Sequence, residues 1–281
     1  MRVNNCLITA AGLGTRMGII GENLPKPLWP IFDKTLLDIQ LEYVKRFNPE
    51  KIFINAHHNS HKIIEWAKDK NITVLVEDEL LGSGGCIHNL KKSSESMGPV
   101  TVVVNSDQFF LLDKEKIDIG LKKIENGFDS VIYGLVVNKT EKYNETIYAN
   151  DRLVNICKAT GDEDYYTFSG VSIINLEKLT YVEGESSFFN SVCNYKNNEN
   201  IYFMSGTEKV KFWDFGTKPK YVESLFRVLK DDGEMRKLIE QSGVELKQYE
   251  NEKEKLSFNL YKSKINKENG EIEIDSIIDQ I

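Results

Sequence analysis

The stretch Val100-Thr101-Val102-Val103-Val104-Asn105-Ser106-Asp107 decides how the chain is to be read. Its first five residues are almost all β-branched. A run of that kind with no polar alternation suits a strand buried on both faces, the condition of a central strand in a parallel sheet. Immediately beyond it stand a small polar residue and a carboxylate, Ser106 and Asp107. In open α/β sheets, ligands gather at the carboxyl ends of such strands.

Working outward, short apolar runs alternate with amphipathic stretches. Val3 to Thr9 reads as a buried strand running into Ala10-Ala11-Gly12. Thr35 to Phe47 has the 3.6-residue stripe of a helix in Leu37, Leu41 and Val44. Lys51 to Asn55 reads as a strand, and Ser60 caps a helix to Lys70 that turns Ile63, Ile64 and Ala67 inward. Ile72 to Val76 is the next strand, and Ser83 to Lys92 the next helix. This β-α-β order predicts an α/β fold: a mostly parallel central sheet with helices on both faces, Rossmann-like in architecture.

Beyond Asp113 the rhythm changes. Asp113 caps a helix to Asn126, and Asp129 to Val137 is a long strand. Thr146 to Cys157 alternates around Asn150-Asp151, the signature of a hairpin. Thr167 to Asn175 reads as a strand, Ser187 to Tyr195 as a short helix, and Ile201 to Ser205 and Lys209 to Trp213 as two further strands. Thr217 caps a helix with Pro219 near its start and Val222, Leu225, Phe226 and Leu229 as its apolar stripe. The expected division is a main domain over residues 1–230, containing a small additional α/β part. A charged, largely helical extension follows over 231–281. In that tail, 251–255 reads as solvated helix or linker, and 272–281 regains enough alternation to dock. The tail has three uses open to it: packing on the domain, forming a homodimer, or contacting another protein. There is no repeat of 20–50 residues and no hexapeptide array.

Composition bounds the partners. The 281 residues carry a net charge of −7, so the surface as a whole does not attract nucleic acid or an anionic membrane. No apolar run is long enough to span a bilayer, and Met1 to Ala10 is too short for a signal segment. Cys6, Cys86, Cys157 and Cys193 form no CxxC pair, so neither a zinc site nor a disulfide framework is indicated. A soluble cytoplasmic protein with reduced thiols is expected.

Four segments carry candidate chemistry. The first is Ala10-Ala11-Gly12-Leu13-Gly14-Thr15-Arg16-Met17-Gly18. Small residues after a strand let backbone N–H groups approach an anion, and Arg16 adds a guanidinium suited to phosphate oxygens. It matches neither known glycine fingerprint. A third glycine three residues after Gly14 is replaced by Met17, and no Gly-Lys-Ser/Thr occurs. The second is Leu24-Pro25-Lys26-Pro27-Leu28, where prolines on both sides stiffen the backbone around one ammonium. The third is Asn105-Ser106-Asp107, whose carboxylate is a hard ligand suited to Mg²⁺. The fourth is Phe212-Trp213-Asp214-Phe215-Gly216-Thr217, again a carboxylate between a strand and a helix start. His57, His58 and His61 have no further ligand at fixed spacing and read as loop and helix-start residues. Phe188, Phe189 and Trp66 read as core.

As an ordered set, with Leu81-Gly82-Ser83-Gly84-Gly85 between the second and third, these segments resemble the sugar-1-phosphate nucleotidyltransferases over residues 1 to about 230. The resemblance implies an enzyme that joins a nucleoside triphosphate to a sugar 1-phosphate and releases pyrophosphate. It implies that Ala11, Gly12, Gly14, Thr15 and Arg16 hold the triphosphate. Lys26 neutralises charge at the reacting centre, and Asp107 and Asp214 bind Mg²⁺. It also implies Gly82 and Ser83 beside the nucleotide and Lys158, Ser169 and Gly170 beside the sugar phosphate. Three departures stand out: Ile19-Ile20-Gly21 where relatives often have Pro-Leu-Thr, Ser106 where glycine is usual, and Cys157-Lys158 where Glu-Lys is common. In relatives, the residue five before the turn glycine meets the base. Here it is Glu77, a pure acceptor when ionised, matched to the adjacent N1–H and N2–H of guanine. The stretch from Glu77 to Gly85 is similar to mannose- and heptose-1-phosphate guanylyltransferases, favouring GTP. Thr167-Phe168-Ser169-Gly170-Val171 is similar to muramate-1-phosphate uridylyltransferase, which keeps UTP open. A non-catalytic sensing module and a glycosyltransferase are the competing classes. Arg16, Lys26, Asp107 and Asp214 argue against the former, and the missing first carboxylate of a DxD motif argues against the latter.

Overall fold

The structure, a computed structural model, describes residues 1–14, 21, 24–93, 95–197, 200–206, 212–230 and 233–247. The first strand, β1 (Asn5–Thr9), is followed by a 3-10 turn at Lys26–Leu28 and a small hairpin, β2 (Pro30–Ile31) and β3 (Lys34–Thr35). Helix α1 (Leu36–Lys45) begins with a capping box. The Thr35 hydroxyl accepts from the Asp38 N–H at 3.1 Å, and the Asp38 carboxylate accepts from the Thr35 N–H at 2.9 Å, so two otherwise orphaned donors are satisfied. Then come β4 (Lys51–Ala56), α2 (Ser60–Ala67), β5 (Thr73–Val76), α3 (Gly82–Lys92), β6 (Val100–Asn105) and β7 (Gln108–Phe110). The second half holds α4 (Lys114–Glu125), β8 (Ser130–Val137), β9 (Asn144–Ala149), β10 (Arg152–Lys158) and β11 (Tyr165–Asn175). It ends with α5 (Phe188–Ser191), β12 (Ile201–Ser205), β13 (Phe212–Asp214), α6 (Lys218–Lys230) and α7 (Glu234–Gln241).

Nine strands form one sheet in the order β5-β4-β1-β6-β11-β8-β12-β10-β9. The first four run parallel; β11 is antiparallel to both β6 and β8, and the β9–β10 hairpin closes the far edge. The sheet is therefore mixed, with a parallel half formed by β5, β4, β1 and β6. β1 has β4 on one side and β6 on the other, which makes the carboxyl ends of β1 and β6 the topological switch point.

Period-2 alternation along these strands builds a core on each face. Cys6, Ile8, Val102 and Val104 point to the face covered by α1, α4 and α6; Leu7 and Val103 point to the face covered by α3 and α5. Helix α7 joins the first core: Met235, Leu238 and Ile239 are buried, and Val244 and Leu246 follow them in. Of the tail segments, 251–255 and 272–281 lie outside the described residues.

Several boundaries differ from the sequence reading. Helix α2 ends at Ala67, is preceded by Asn59 at φ +52°, and leaves Ile64 facing solvent; only Ile63 and Ala67, one turn apart, reach the core. The segment after Ser187 is one helical turn followed by a separate 3-10 turn at Tyr195–Asn197. Among the described residues strand β13 covers Phe212–Asp214 and pairs with β7 instead of joining the large sheet; residues 207–211 lie outside the described residues. In α6 the buried stripe is Tyr221, Leu225, Val228 and Leu229, with Phe226 half-buried. Cys6, Cys86 and Cys193 are buried free thiols and Cys157 is half-buried and free. No helix among the described residues is long and apolar enough to cross a membrane.

Candidate active site

The loop after β1 starts buried, at Ala10 and Ala11, and opens at Gly12, where a side chain would meet nothing within 4 Å. Gly14 takes φ +65°, a conformation L-residues rarely adopt, and its backbone lies against Gly21, so the chain returns to its own starting point. Thr15 and Arg16 lie outside the described residues. The Ala10 N–H is held by the Asn55 side-chain oxygen at 2.6 Å, which ties the root of this loop to the end of β4.

Lys26 is 8% exposed, on the 3-10 turn that Pro25 and Pro27 stiffen. Its ammonium donates to the Gly216 carbonyl at 3.1 Å and is ion-paired with the Asp107 carboxylate. The β7–β13 pairing sets Asp214 opposite Gln108, and the Phe215 N–H donates to the Asp107 carbonyl at 2.8 Å. Three motifs far apart in the chain are thereby sewn together. Gly216 is the seam: a Cβ there would lie 2.7 Å from Asp214 Oδ1 and 3.5 Å from Asp107 Oδ2, so both carboxylates flank one backbone point.

Asp214 is held from two sides. Its Oδ1 accepts from the Gly216 N–H at 2.7 Å. Its Oδ2 accepts from the Tyr143 hydroxyl and lies 3.3 Å from Lys220 Nζ, which also pairs with Glu141 at 2.9 Å. Burial, reinforced by the neighbouring Asp214 carboxylate, pushes the Tyr143 phenol well above its ordinary value, so it remains a donor.

These groups surround a cleft of about 430 Å³ at the switch point. Of the residues singled out from sequence, Ala11, Gly12, Gly14, Lys26, Gly82, Ser83 and Asp107 all line it. Asp214 sits just behind, lining a smaller hollow with Tyr143 and Lys220. Gly82 has φ +72°, and a Cβ there would strike the Ser186 carbonyl at 2.7 Å. Glu77 does not line the cleft. It is buried, its Oε1 accepting from Asn55 Nδ2 at 2.7 Å and its Oε2 from the Leu81 N–H at 3.1 Å. Both acceptor oxygens that the sequence reading assigned to a base are thus occupied in fixing the loop that leads to Gly82.

A second compartment of about 460 Å³ adjoins the first and shares Thr9, Ser83 and Asn105 with it. Gly170 lies in its wall at φ +82°, where a Cβ would meet Asn105 Nδ2 at 2.7 Å. Phe168 and Ser172 line it as well, being on the same face of β11 as Gly170. Ser169 does not line it and is fully buried, with its hydroxyl oxygen accepting from the Val171 N–H at 3.3 Å. Lys158 is exposed at the end of β10 and does not line the compartment. Phe188 and Phe189, read from sequence as core, form part of its wall, while Trp66 is half-buried and donates to Asp38 at 2.9 Å. Sequence reasoning missed Ser172 and Asn55. No local signal marked either; the register of β11 against β8 shifts between Phe168 and Ser172.

His57 Nδ1 shares a hydrogen bond with the Glu77 carbonyl at 2.9 Å. Among the described residues no group of three or more histidines, cysteines or carboxylates could hold a metal ion, so Asp107 and Asp214 stand as a pair.

A model of the MobA-like NTP transferase domain matches residues 6–134. A D-glycero-α-D-manno-heptose 1-phosphate guanylyltransferase of Campylobacter jejuni is 31% identical over 164 residues, covering 53% of this chain and 72% of that protein. The bifunctional protein GlmU of Methanococcus vannielii is 31% identical over 150 residues, 50% of this chain but 36% of the relative. Among solved structures, HddC from Yersinia pseudotuberculosis superposes with a TM-score of 0.66 at 23% identity, covering 80% of this chain and 99% of that one. The same protein complexed with GMP-PN gives 0.65 at 21% identity over the same shares. The chain belongs to the family of sugar-1-phosphate nucleotidyltransferases built on a MobA-like NTP transferase domain.

Proposed function

We propose that the chain transfers GMP from GTP to a sugar 1-phosphate, releasing pyrophosphate, with Mg²⁺ held by Asp107 and Asp214. The observation that carries this reading is the convergence of Lys26, Asp107 and Asp214 on Gly216 at the mouth of the glycine-lined cleft. The choice of GTP is supported by the guanylyltransferase relative and by the GMP-PN complex of HddC.

The donor set fits a hard divalent cation. Two carboxylates from separate segments, with no further ligand among the described residues, leave positions that triphosphate oxygens would fill, the usual arrangement for Mg²⁺. Once bound, the ion supplies positive charge across the reacting phosphates. The chain's own residues do the rest. Backbone N–H groups around Gly12 and Gly14, with Arg16, cradle the β- and γ-phosphates. Lys26 faces the leaving pyrophosphate from a rigid turn. The second compartment receives the sugar and presents its phosphate to the α-phosphorus. One bond forms between an acceptor phosphate oxygen and the α-phosphorus. The bond to the bridging oxygen breaks in line, and its electron pair leaves with pyrophosphate. The attacking oxygen is already anionic, so no general base is needed.

The test is pyrophosphate release from each of the four NTPs against a panel of sugar 1-phosphates in the presence of Mg²⁺. GTP is expected to exceed the others by about tenfold or more in kcat/KM. A preference for UTP would remove the base assignment alone. Silence with every pair would remove the reaction.

A further inference from the structure

We propose that Asn55 is a positioning residue for the nucleotide. With Glu77 it joins two walls of the first cleft by one chain of hydrogen bonds, and so fixes the spacing between them. The inference rests on the reading that this cleft takes the nucleotide.

Strands β1, β4 and β5 lie side by side, with β4 in the middle. Regular pairing of β1 with β4 stops at Thr9 and Asn55, and that of β4 with β5 at Ala56 and Val76. Beyond those points the walls are loops. The loop after β1 lines the cleft from Ala10 to Gly14, and the loop after β5 lines it through Leu80 and, at its end, Gly82 and Ser83. Asn55, at the end of β4, lines the cleft between them.

Its side chain spans the gap. Asn55 Oδ1 accepts from the Ala10 N–H at 2.6 Å, and Nδ2 donates to Glu77 Oε1 at 2.7 Å. Glu77 Oε2 then accepts from the Leu81 N–H at 3.1 Å. The root of one loop is thereby linked to the residue before Gly82 in the other. Asn55 is 3% and Glu77 4% exposed, so water competes little for these bonds. A backbone N–H on one side and a carboxylate on the other call for a side chain that accepts at one end and donates at the other, which a primary amide supplies. Both ends of the chain are loop N–H groups beyond the strand ladder, so what it holds is the walls of the cleft. Walls already in place when the nucleotide arrives need no ordering on binding. Asn55 has to touch no ligand to do this.

Reversing the middle bond tests the proposal. Asn55→Asp alone sets carboxylate against carboxylate, and Glu77→Gln alone sets donor against donor. In the double variant the new carboxylate accepts from the Ala10 N–H and from the new amide, whose oxygen takes the Leu81 N–H, so every bond can form again. The dissociation constant of the preferred NTP, measured by calorimetry without sugar phosphate, and its KM should rise about tenfold in each single variant and return to within about threefold of wild type in the double. The KM for the sugar phosphate and kcat should stay within about threefold throughout, and the order of preference among NTPs should not change. Single variants that melt earlier yet bind the NTP as wild type does would overturn the proposal, because the bridge would then support the fold alone. So would a double variant no better than the singles in folding or in NTP affinity. If Asn55→Asp does not fold, Glu77→Gln against the double variant decides by the same criterion. A wild-type protein that binds none of the four NTPs would instead remove the reading of the cleft, and this inference with it.

Discussion

Lys26 and Asp107 are paired with each other, and the Gly216 carbonyl holds the ammonium from a further side. A charge kept in position this way loses little freedom when phosphate arrives. Asp107→Asn keeps the shape but halves the carboxylate's acceptor capacity and removes its charge. Turnover should fall by about 100-fold or more while far-ultraviolet circular dichroism stays unchanged. Near wild-type rates in that variant would remove the metal assignment. Glu77→Gln probes a different role. The carboxylate accepts from Asn55 and from the Leu81 N–H, so an amide there sets donor against donor. The expected result is a loss of about 1–3 kcal/mol in stability with nucleotide preference unaltered, read from urea midpoints and an NTP panel. Lys26 and Asp107 were legible in the sequence because each sits in a short motif whose neighbours explain it. Glu77 was legible as an acceptor, and the structure gives it Asn55 and the Leu81 N–H as partners. An acceptor aimed at a base and one aimed at a backbone N–H look alike until the partners are in place.

At the scale of elements, strands with dense β-branched or alternating character were placed within a residue or two. The turn at Asn150-Asp151 was recognisable because both residues tolerate positive φ, and they take +51° and +59°. Elements whose identity depends on a distant partner were harder. Strand β13 exists only by pairing with β7, and that partnership leaves no mark in residues 209–213. The close approach of β8 and β12 is another such case. Gly134 in β8 lies so near the Phe203 ring of β12 that an added methyl would enter it. Gly134→Ala should therefore destabilise by about 1–3 kcal/mol through overpacking, visible as a lowered denaturation midpoint.

For the molecule as a whole, composition signalled a change after Lys230, yet packing does not stop there. Met235, Leu238 and Ile239 share one core with α1 and the parallel half of the sheet. Charge density in a segment describes its outer face; a helix with three buried residues in eight can be mostly charged and still firmly docked. Leu238→Ala should lower stability by about 2–5 kcal/mol, and it should do so in a single cooperative transition monitored by aromatic fluorescence. Two transitions, with the main one unmoved, would mean that α7 unfolds separately from the sheet.

The wall common to the two compartments consists of Thr9, Ser83 and Asn105, each touching both spaces. Because the two spaces meet along these residues, a tethered compound with a nucleotide head and a sugar head is expected, on the proposed function, to reach both. Such a two-headed inhibitor gains from intramolecular capture of its second head once the first has docked. It would block either reactant by occupying both places at once.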